Sequence, residues 1–304
     1  MRVLSLLVLS AFSLMARDPL AQRIGHTDPA KARPGTDVHN GAGVLSIQTL
    51  LGRGAIHNLN FMHHGPLAPK SSIGQHFHLN SEEMFLILDA DCQFTIDGHT
   101  AVLGAPVGVP CRMGHSHAVY NPTNRPVDWV NFNVGAENGT PRPEGTGWAI
   151  AFAADPTATF NLGDDRAGAP LESHAVFLNT GRLTRDVMRS IPNLNGGKGN
   201  VLYRRALGPS VFSSNWSFVD HYLLTPGTSI GRHVHNGVEE IYFVMSGEGT
   251  VRVDEETAPI RKGDAVPVRA KEAHSFENTG SAALELLVYG VALEKGKLDV
   301  ADVK

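Results

Sequence analysis

Cysteine is nearly absent: Cys92 and Cys111 are the only two in 304 residues, too few for a disulfide framework, and two buried free thiols are expected. Positive charge is concentrated nowhere. A formal net charge of −4 without a basic run lacks the electrostatic footprint of nucleic-acid binding. Long apolar runs are missing as well, so no segment reaches the about 20 residues of a membrane-spanning helix. One shorter stretch, Arg2 followed by Val3 to Met15, has signal-peptide length and ends near Ala16 or Ala21. Residues 1–21 are therefore expected to be a signal peptide, although Leu14 or Pro19 would occupy a place where cleavage prefers a small residue. Export would put the protein in the periplasm or outside the cell. If the stretch is a plain apolar arm, the protein is cytoplasmic.

What is present is 42% hydrophobic and 18% charged residues, with 32 glycines and 18 prolines. This composition suits globular domains of short strands joined by turns, and the length suits two of them. The chain also repeats itself. Gly74, His76, His78, Glu83, His117 and Asn121 return as Gly231, His233, His235, Glu240, His274 and Asn278, each shifted by 157 positions (233 minus 76, 240 minus 83, 274 minus 117). Pro69/Pro226, Asp97/Asp254 and Arg112/Arg269 keep the same offset, so the duplicated core carries no insertion or deletion. Cys92 and Cys111 have Gly249 and Val268 as counterparts, which argues against a ligand role.

Side chains at i and i+2 of a strand share a face, so His76 and His78 point the same way, as do His233 and His235. Turn-forming residues around Asn80 and Gly237 reset the alternation before Glu83 and Glu240. A fourth ligand must come from another strand, and His117 and His274 occupy matching contexts. Three imidazoles and a carboxylate suit Mn, Fe, Ni, Cu or Zn better than Ca or Mg, which prefer oxygen shells. Two divalent transition-metal ions per chain are expected, with Mn or Fe favoured. A six-coordinate ion held by four protein ligands keeps two positions for substrate.

The stretches 74–88 and 231–249, with His-x-His, then Glu, and in the second copy Gly247 seven residues later, resemble the first motif of the cupin superfamily. Gly114, His117 and Asn121, and more loosely Gly263, His274 and Asn278, resemble the second. Ala90 and Lys271 replace motif glycines, and Arg112 and Arg269 take a proline position; none of these changes removes a ligand. The resemblance implies an all-β fold of two tandem jelly-roll (double-stranded β-helix) barrels, a bicupin, joined by an irregular linker. It selects Glu83 and Glu240 over Glu82 and Glu239, in agreement with strand parity, which turns the latter pair away. It also implies a metal-dependent enzyme acting on a small oxygenated organic substrate, as an oxidoreductase (dioxygenase) or carboxylate lyase. Two complete sites most resemble oxalate-decarboxylase-like bicupins, although no segment matches their proton-donor lid. The alternatives are a non-catalytic metal- or small-ligand-binding bicupin and a sugar isomerase or epimerase. A small-molecule substrate is the expected partner, with neither nucleic acid nor membrane, and homo-oligomerisation stays open.

The first barrel is expected at 41–150, a linker at 151–195 with a short helix between Leu183 and Ile191, and the second barrel at 196–293. Three residues are candidates for substrate chemistry. Tyr242 stands where the first copy has Phe85 and adds a hydroxyl near the second metal, which makes the C-terminal site the one expected to be more reactive. Arg112 and Arg269, five residues before the third histidine, are candidates to bind a substrate carboxylate at the barrel mouth. His115 is expected near the ligands or the mouth. His64 and His221 either line the cavities or make a shared structural hydrogen bond.

Overall fold

The computed structural model describes residues 17–136, 159–162, 166–173, 181–299 and 301–302; Val3 to Met15 lie outside them. Each half of the chain closes two antiparallel sheets over one another. In the first barrel the larger sheet runs Arg33–Thr36, Val44–Gly52, Leu59–Leu67, Val127–Gly135, Ser81–Ile87, Val107–Cys111, Gly181–Arg182. The facing sheet runs Thr159–Asn161, Ser72–His78, Ser116–Tyr120, Cys92–Ile96, His99–Leu103. The second barrel repeats this order with Arg189–Pro192, Asn200–Leu207, Trp216–Leu224, Leu284–Ala292, Val238–Ser246 and Ala265–Val268. Its facing sheet runs Glu256–Arg261, Glu248–Val253, His274–Glu277, Ser229–Val234, Ala301–Asp302. Cys92 and Cys111 are free and buried, and burial, the largest cause, pushes both thiols up.

The barrels begin earlier than the sequence boundaries at 41 and 196, because each recruits a preceding edge strand, Arg33–Thr36 or Arg189–Pro192. The helix expected between Leu183 and Ile191 is not formed. A single 3-10 turn, Arg185–Val187, leads into strand Arg189–Pro192. Pro192 disfavours helix at the residue before it, and the ladder to Asn200–Leu207 supplies hydrogen bonds that an isolated turn of helix could not match.

The arm ahead of each barrel crosses to the other one. Gly25 bridges Ala265, Leu20 and Ile24 fill the second barrel's core, and Arg23 donates to Glu272 at 2.7 and 2.8 Å. The segment before the second barrel does the reverse: Gly181, 156 positions after Gly25 (181 minus 25), pairs with Gly108 of the first. Leu20 is 1% exposed, so cleavage at Ala21 would delete a core side chain, whereas cleavage after Ala16 would leave the docked arm whole.

The outer faces of the two larger sheets form one apolar core holding Met62, Met84, Phe132, Trp216, Phe243 and Tyr289. Phe132 stacks on Tyr289 with ring centroids 4.2 Å apart, and these occupy the same repeat position (289 minus 132 is 157). Equivalent residues in mutual contact mark a pseudo-twofold axis, as in an isologous dimer interface. Glu82 and Glu239, turned away from the cavities, work at this contact. The Glu82 carboxylate accepts the Ser213 and Ser214 N–H groups, each at 2.7 Å. Glu239 accepts the His57 N–H at 2.6 Å.

Candidate metal centres

His76 pairs with His117, and His233 with His274, directly across antiparallel strands. Register shifts immediately before, between Ile73 and His76 and between Ile230 and His233, set this alignment. The histidines of each set come from the smaller sheet, His235 from the residue just past its strand Ser229–Val234, and the glutamate from the larger, so each cluster lies between the sheets. Within each set the donor atoms all lie within 4.8 Å of one another. Gly74 and Gly231 are required for a packing reason. A Cβ at these positions would lie 2.1 Å from the His39 carbonyl oxygen and 2.0 Å from that of Asn195. The strand can therefore press on the preceding turn, and the glycine carbonyl accepts the Nδ1–H of His76 (2.7 Å) or His233 (2.9 Å).

In the second centre every imidazole is oriented in this way. His274 Nδ1–H donates to the Glu272 carbonyl at 3.1 Å, and His235 Nδ1–H donates to the Asp299 carbonyl. With all three Nδ1 atoms committed as donors, all three Nε2 atoms present lone pairs. They converge on a carboxylate: Glu240 Oε2 lies 3.2 Å from His274 Nε2 and 3.4 Å from His235 Nε2. The Tyr242 hydroxyl, which carries one proton, faces two acceptors, Glu240 Oε2 at 2.9 Å and His274 Nε2 at 3.1 Å. Acceptors outnumber protons in this space, and a cation resolves the excess, so the donor set fits a divalent metal.

The first centre has the same donors with different support. Glu83 Oε2 lies 2.9, 3.0 and 3.6 Å from Nε2 of His78, His117 and His76. Nδ1 of His78 and of His117 is buried without a partner among the described residues. Phe85 stacks on His117 at 4.6 Å where Tyr242 stands in the other copy, and the Asn133 amide donates to Glu83 Oε1 at 3.3 Å. Gly290 replaces Asn133 in the second barrel.

Burial, then the neighbouring His76, pushes His117 down to about 3, and burial, then His274, pushes His233 down to about 4. These imidazoles are neutral, the form that ligates metal. Burial alone would raise Glu240, but His235, His274 and His233 together hold it at about 2. Glu83 is held well below its ordinary value, its burial outweighed by His78, His117 and His76.

The ligands open onto unlike cavities. The first, about 230 Å³, is walled by Val38, Ile47, Phe61 and Trp129 with His39 and His63; His39 stacks on His76 at 3.8 Å. The second, about 370 Å³, presents Tyr203, Arg205, Phe218, Asp220 and Tyr222 beside His233, His235 and Glu240. Burial raises the Asp220 carboxyl, against the pull of Arg205. Sequence reading missed Arg205 and Asp220. The signal was a break in the repeat, since by strand register Thr49 and His63 pair in the first barrel as Arg205 and Asp220 do in the second, but a substitution between copies does not reveal which way a side chain faces.

The other candidates are placed elsewhere. Tyr242 is fully buried behind the ligands and is not among the residues lining the cavity; its hydroxyl, on Glu240 Oε2, positions that carboxylate. Arg112 and Arg269 reach neither cavity and instead join the barrels. Arg112 Nη2 donates to Ser213 Oγ at 2.9 Å, and Arg269 donates to the carbonyls of Gly54 (2.7 Å) and Ala55 (3.1 Å). The loop before the third histidine projects toward the partner barrel's loop, which sequence spacing alone could not show. His115 pairs with Asp97 at the surface, 2.6 Å away. His64 and His221 make matching bonds to carboxylates, Asp128 at 2.9 Å and Glu285 at 2.7 Å. Asn121 and Asn278 tie loops, donating to the carbonyls of Leu67 (3.0 Å) and Leu224 (2.7 Å).

A cupin domain model matches residues 220–290. An oxalate-binding protein from Thermotoga maritima is 36% identical over 103 residues, covering 34% of this chain and 85% of that protein. Among solved structures, an oxalate decarboxylase mutant from Bacillus subtilis superposes with a TM-score of 0.59 at 15% identity, over 90% of this chain and 78% of that one. The oxalate decarboxylase formate complex from Lactobacillus farciminis gives 0.58 at 16%, over 90% and 87%. At such identities these two structures establish the fold alone. With the sequence relative, the domain match and the two-barrel architecture taken together, the chain belongs to the cupin family, as a bicupin.

Proposed function

We propose that this bicupin is a manganese-dependent enzyme acting on a small carboxylate, the class to which oxalate belongs, with the C-terminal centre the reactive one. One observation carries the reading: at that centre three imidazole lone pairs and a carboxylate converge beside an open cavity. The Thermotoga maritima relative is named for binding oxalate, and one of the Bacillus subtilis structures concerns the Mn(II) centres of an oxalate decarboxylase; both support the choice of ligand and metal. The bound metal would supply positive charge beside carboxylate oxygens. The chain's own part is to orient its donors through backbone carbonyls, to hold Glu240 with the Tyr242 hydroxyl, and to shape the cavity wall. For hydrogenoxalate, cleavage of the carbon–carbon bond releases carbon dioxide, and protonation of the remaining carbon gives formate.

The relative's name also favours a second reading, binding without turnover. Both are tested on natively purified protein by elemental analysis, oxalate titration calorimetry of the Mn(II)-loaded form, and assay of carbon dioxide and formate. Metal content near two per chain, oxalate binding and formate release are expected. Binding without product supports the second reading, and the absence of both binding and product rejects oxalate as the ligand of this centre.

A further inference from the structure

One wall of the second cavity is built in layers that the first lacks. A Cβ at Gly290 would lie 2.1 Å from Phe218 Cζ, so only glycine lets this ring lie against the neighbouring strand. The Arg205 guanidinium rests on that ring, 4.4 Å from its centroid, a cation–π contact. Asp220 then grips it through two nitrogens, Nε at 2.8 Å and Nη2 at 2.9 Å. The Tyr203 hydroxyl donates to the same carboxylate at 3.3 Å. The remaining nitrogen, Nη1, has no partner among the described residues, and Arg205 shares its cavity with His233, His235 and Glu240. By strand register the corresponding positions of the first barrel hold Asn133, Phe61, Thr49, His63 and Ile47, which cannot build this wall.

A guanidinium stacked and doubly bound cannot swing toward the metal ligands; it stays at its own wall and offers one donor edge. The cavity of about 370 Å³ falls within the range of about 300–1,000 Å³ that holds sizeable organic ligands. We propose that Arg205 reads the far end of the substrate, and that this substrate is an organic acid longer than a two-carbon dicarboxylate. One of its ends ligates the metal and the other presents a carboxylate or carbonyl oxygen to Nη1. This rests on the assignment of the C-terminal centre as a carboxylate-binding metal site.

The test is titration calorimetry of the Mn(II)-loaded full chain with oxalate, malonate, succinate, glutarate and adipate. Affinity rises beyond oxalate to an optimum length. Arg205→Gln lowers affinity for the best ligand on the order of tenfold or more and leaves oxalate unchanged, and Arg205→Lys recovers part of the loss. Tightest binding by oxalate, or an equal loss at every length in Arg205→Gln, overturns the inference. The wild-type length series decides the matter even if the variant does not fold. Failure of every member to bind overturns both this inference and the carboxylate assignment, whereas oxalate binding without gain from length overturns this inference alone.

Discussion

The Tyr242 hydroxyl lies 2.9 Å from Glu240 Oε2, while its counterpart Phe85 can only stack, 4.6 Å from the His117 ring. Identical donor sets thus have unlike supports, and groups that hold ligands commonly tune metal affinity by about 10–100-fold. Tyr242→Phe should weaken manganese binding at the second centre by a factor in that range, leaving the first untouched. Metal titration with separate site affinities measures this. An unchanged second affinity would reduce Tyr242 to a core aromatic.

Two centres on separate strands should fill independently. His76→Ala is expected to leave about one ion per chain, and His76→Ala with His233→Ala about none. Because binding favours the folded barrels by mass action, near 4 kcal/mol for a ligand at about a thousand times its Kd, chelation should lower Tm. Elemental analysis and melting curves report both, and metal content that survives the double variant would contradict the ligand assignment.

Glu82 accepts two N–H groups from the opposite barrel and is 1% exposed. Glu82→Ala strands those donors, at a cost of about 1–3 kcal/mol for each unsatisfied group. The exposed Arg112→Ala should cost less, on the order of 1 kcal/mol or below. Denaturant melts of the two variants give the comparison; equal effects would mean that this contact is set by the apolar core alone.

Acid should loosen the join between the linker and the second barrel. Burial would raise the Glu285 carboxyl, but hydrogen bonds from His221 and Arg185 outweigh it and hold the group at about 2, below its ordinary 4.5. A group depressed in the folded state stabilises above its unfolded value and loses that contribution as pH falls toward the folded one. Stability should therefore decline from about pH 4.5 toward pH 2, and Glu285→Gln should flatten this limb. A variant with the same acid limb as the wild type would assign the loss to other groups.

Leu20, anchored in the second barrel's core, constrains any processing of the N-terminus. Expression with the leader should give a mature chain beginning at Arg17, and Leu20→Ala should cost about 2–5 kcal/mol. N-terminal sequencing that reads Gln22 would contradict the docked arm, and an intact Met1 would remove the signal-peptide assignment.

The duplication and the eight donors were legible because each rests on spacing, and the jelly-roll class because the motifs that carry those donors resemble those of the cupins. A constant offset needs no coordinates, and period-two alternation places His76 with His78 and turns Glu82 away from Glu83. Helix in the linker was misjudged because Arg189–Pro192 gains its bonds from a strand that follows it, a pairing that local periodicity does not register. Arg112 and Arg269 repeat as faithfully as the ligands do, yet their donors close the barrel–barrel contact, since a repeat preserves the joint as well as the site. Arg205, Asp220 and Gly290 fall where the copies differ. Only the sheet, which brings Phe218 beside Gly290 and Arg205 beside Asp220, turns those differences into a wall. Sequence determined which atoms could hold a metal, because ligation depends on residue type and strand parity; tertiary structure decided what faces that metal, because a cavity is built from strands distant along the chain.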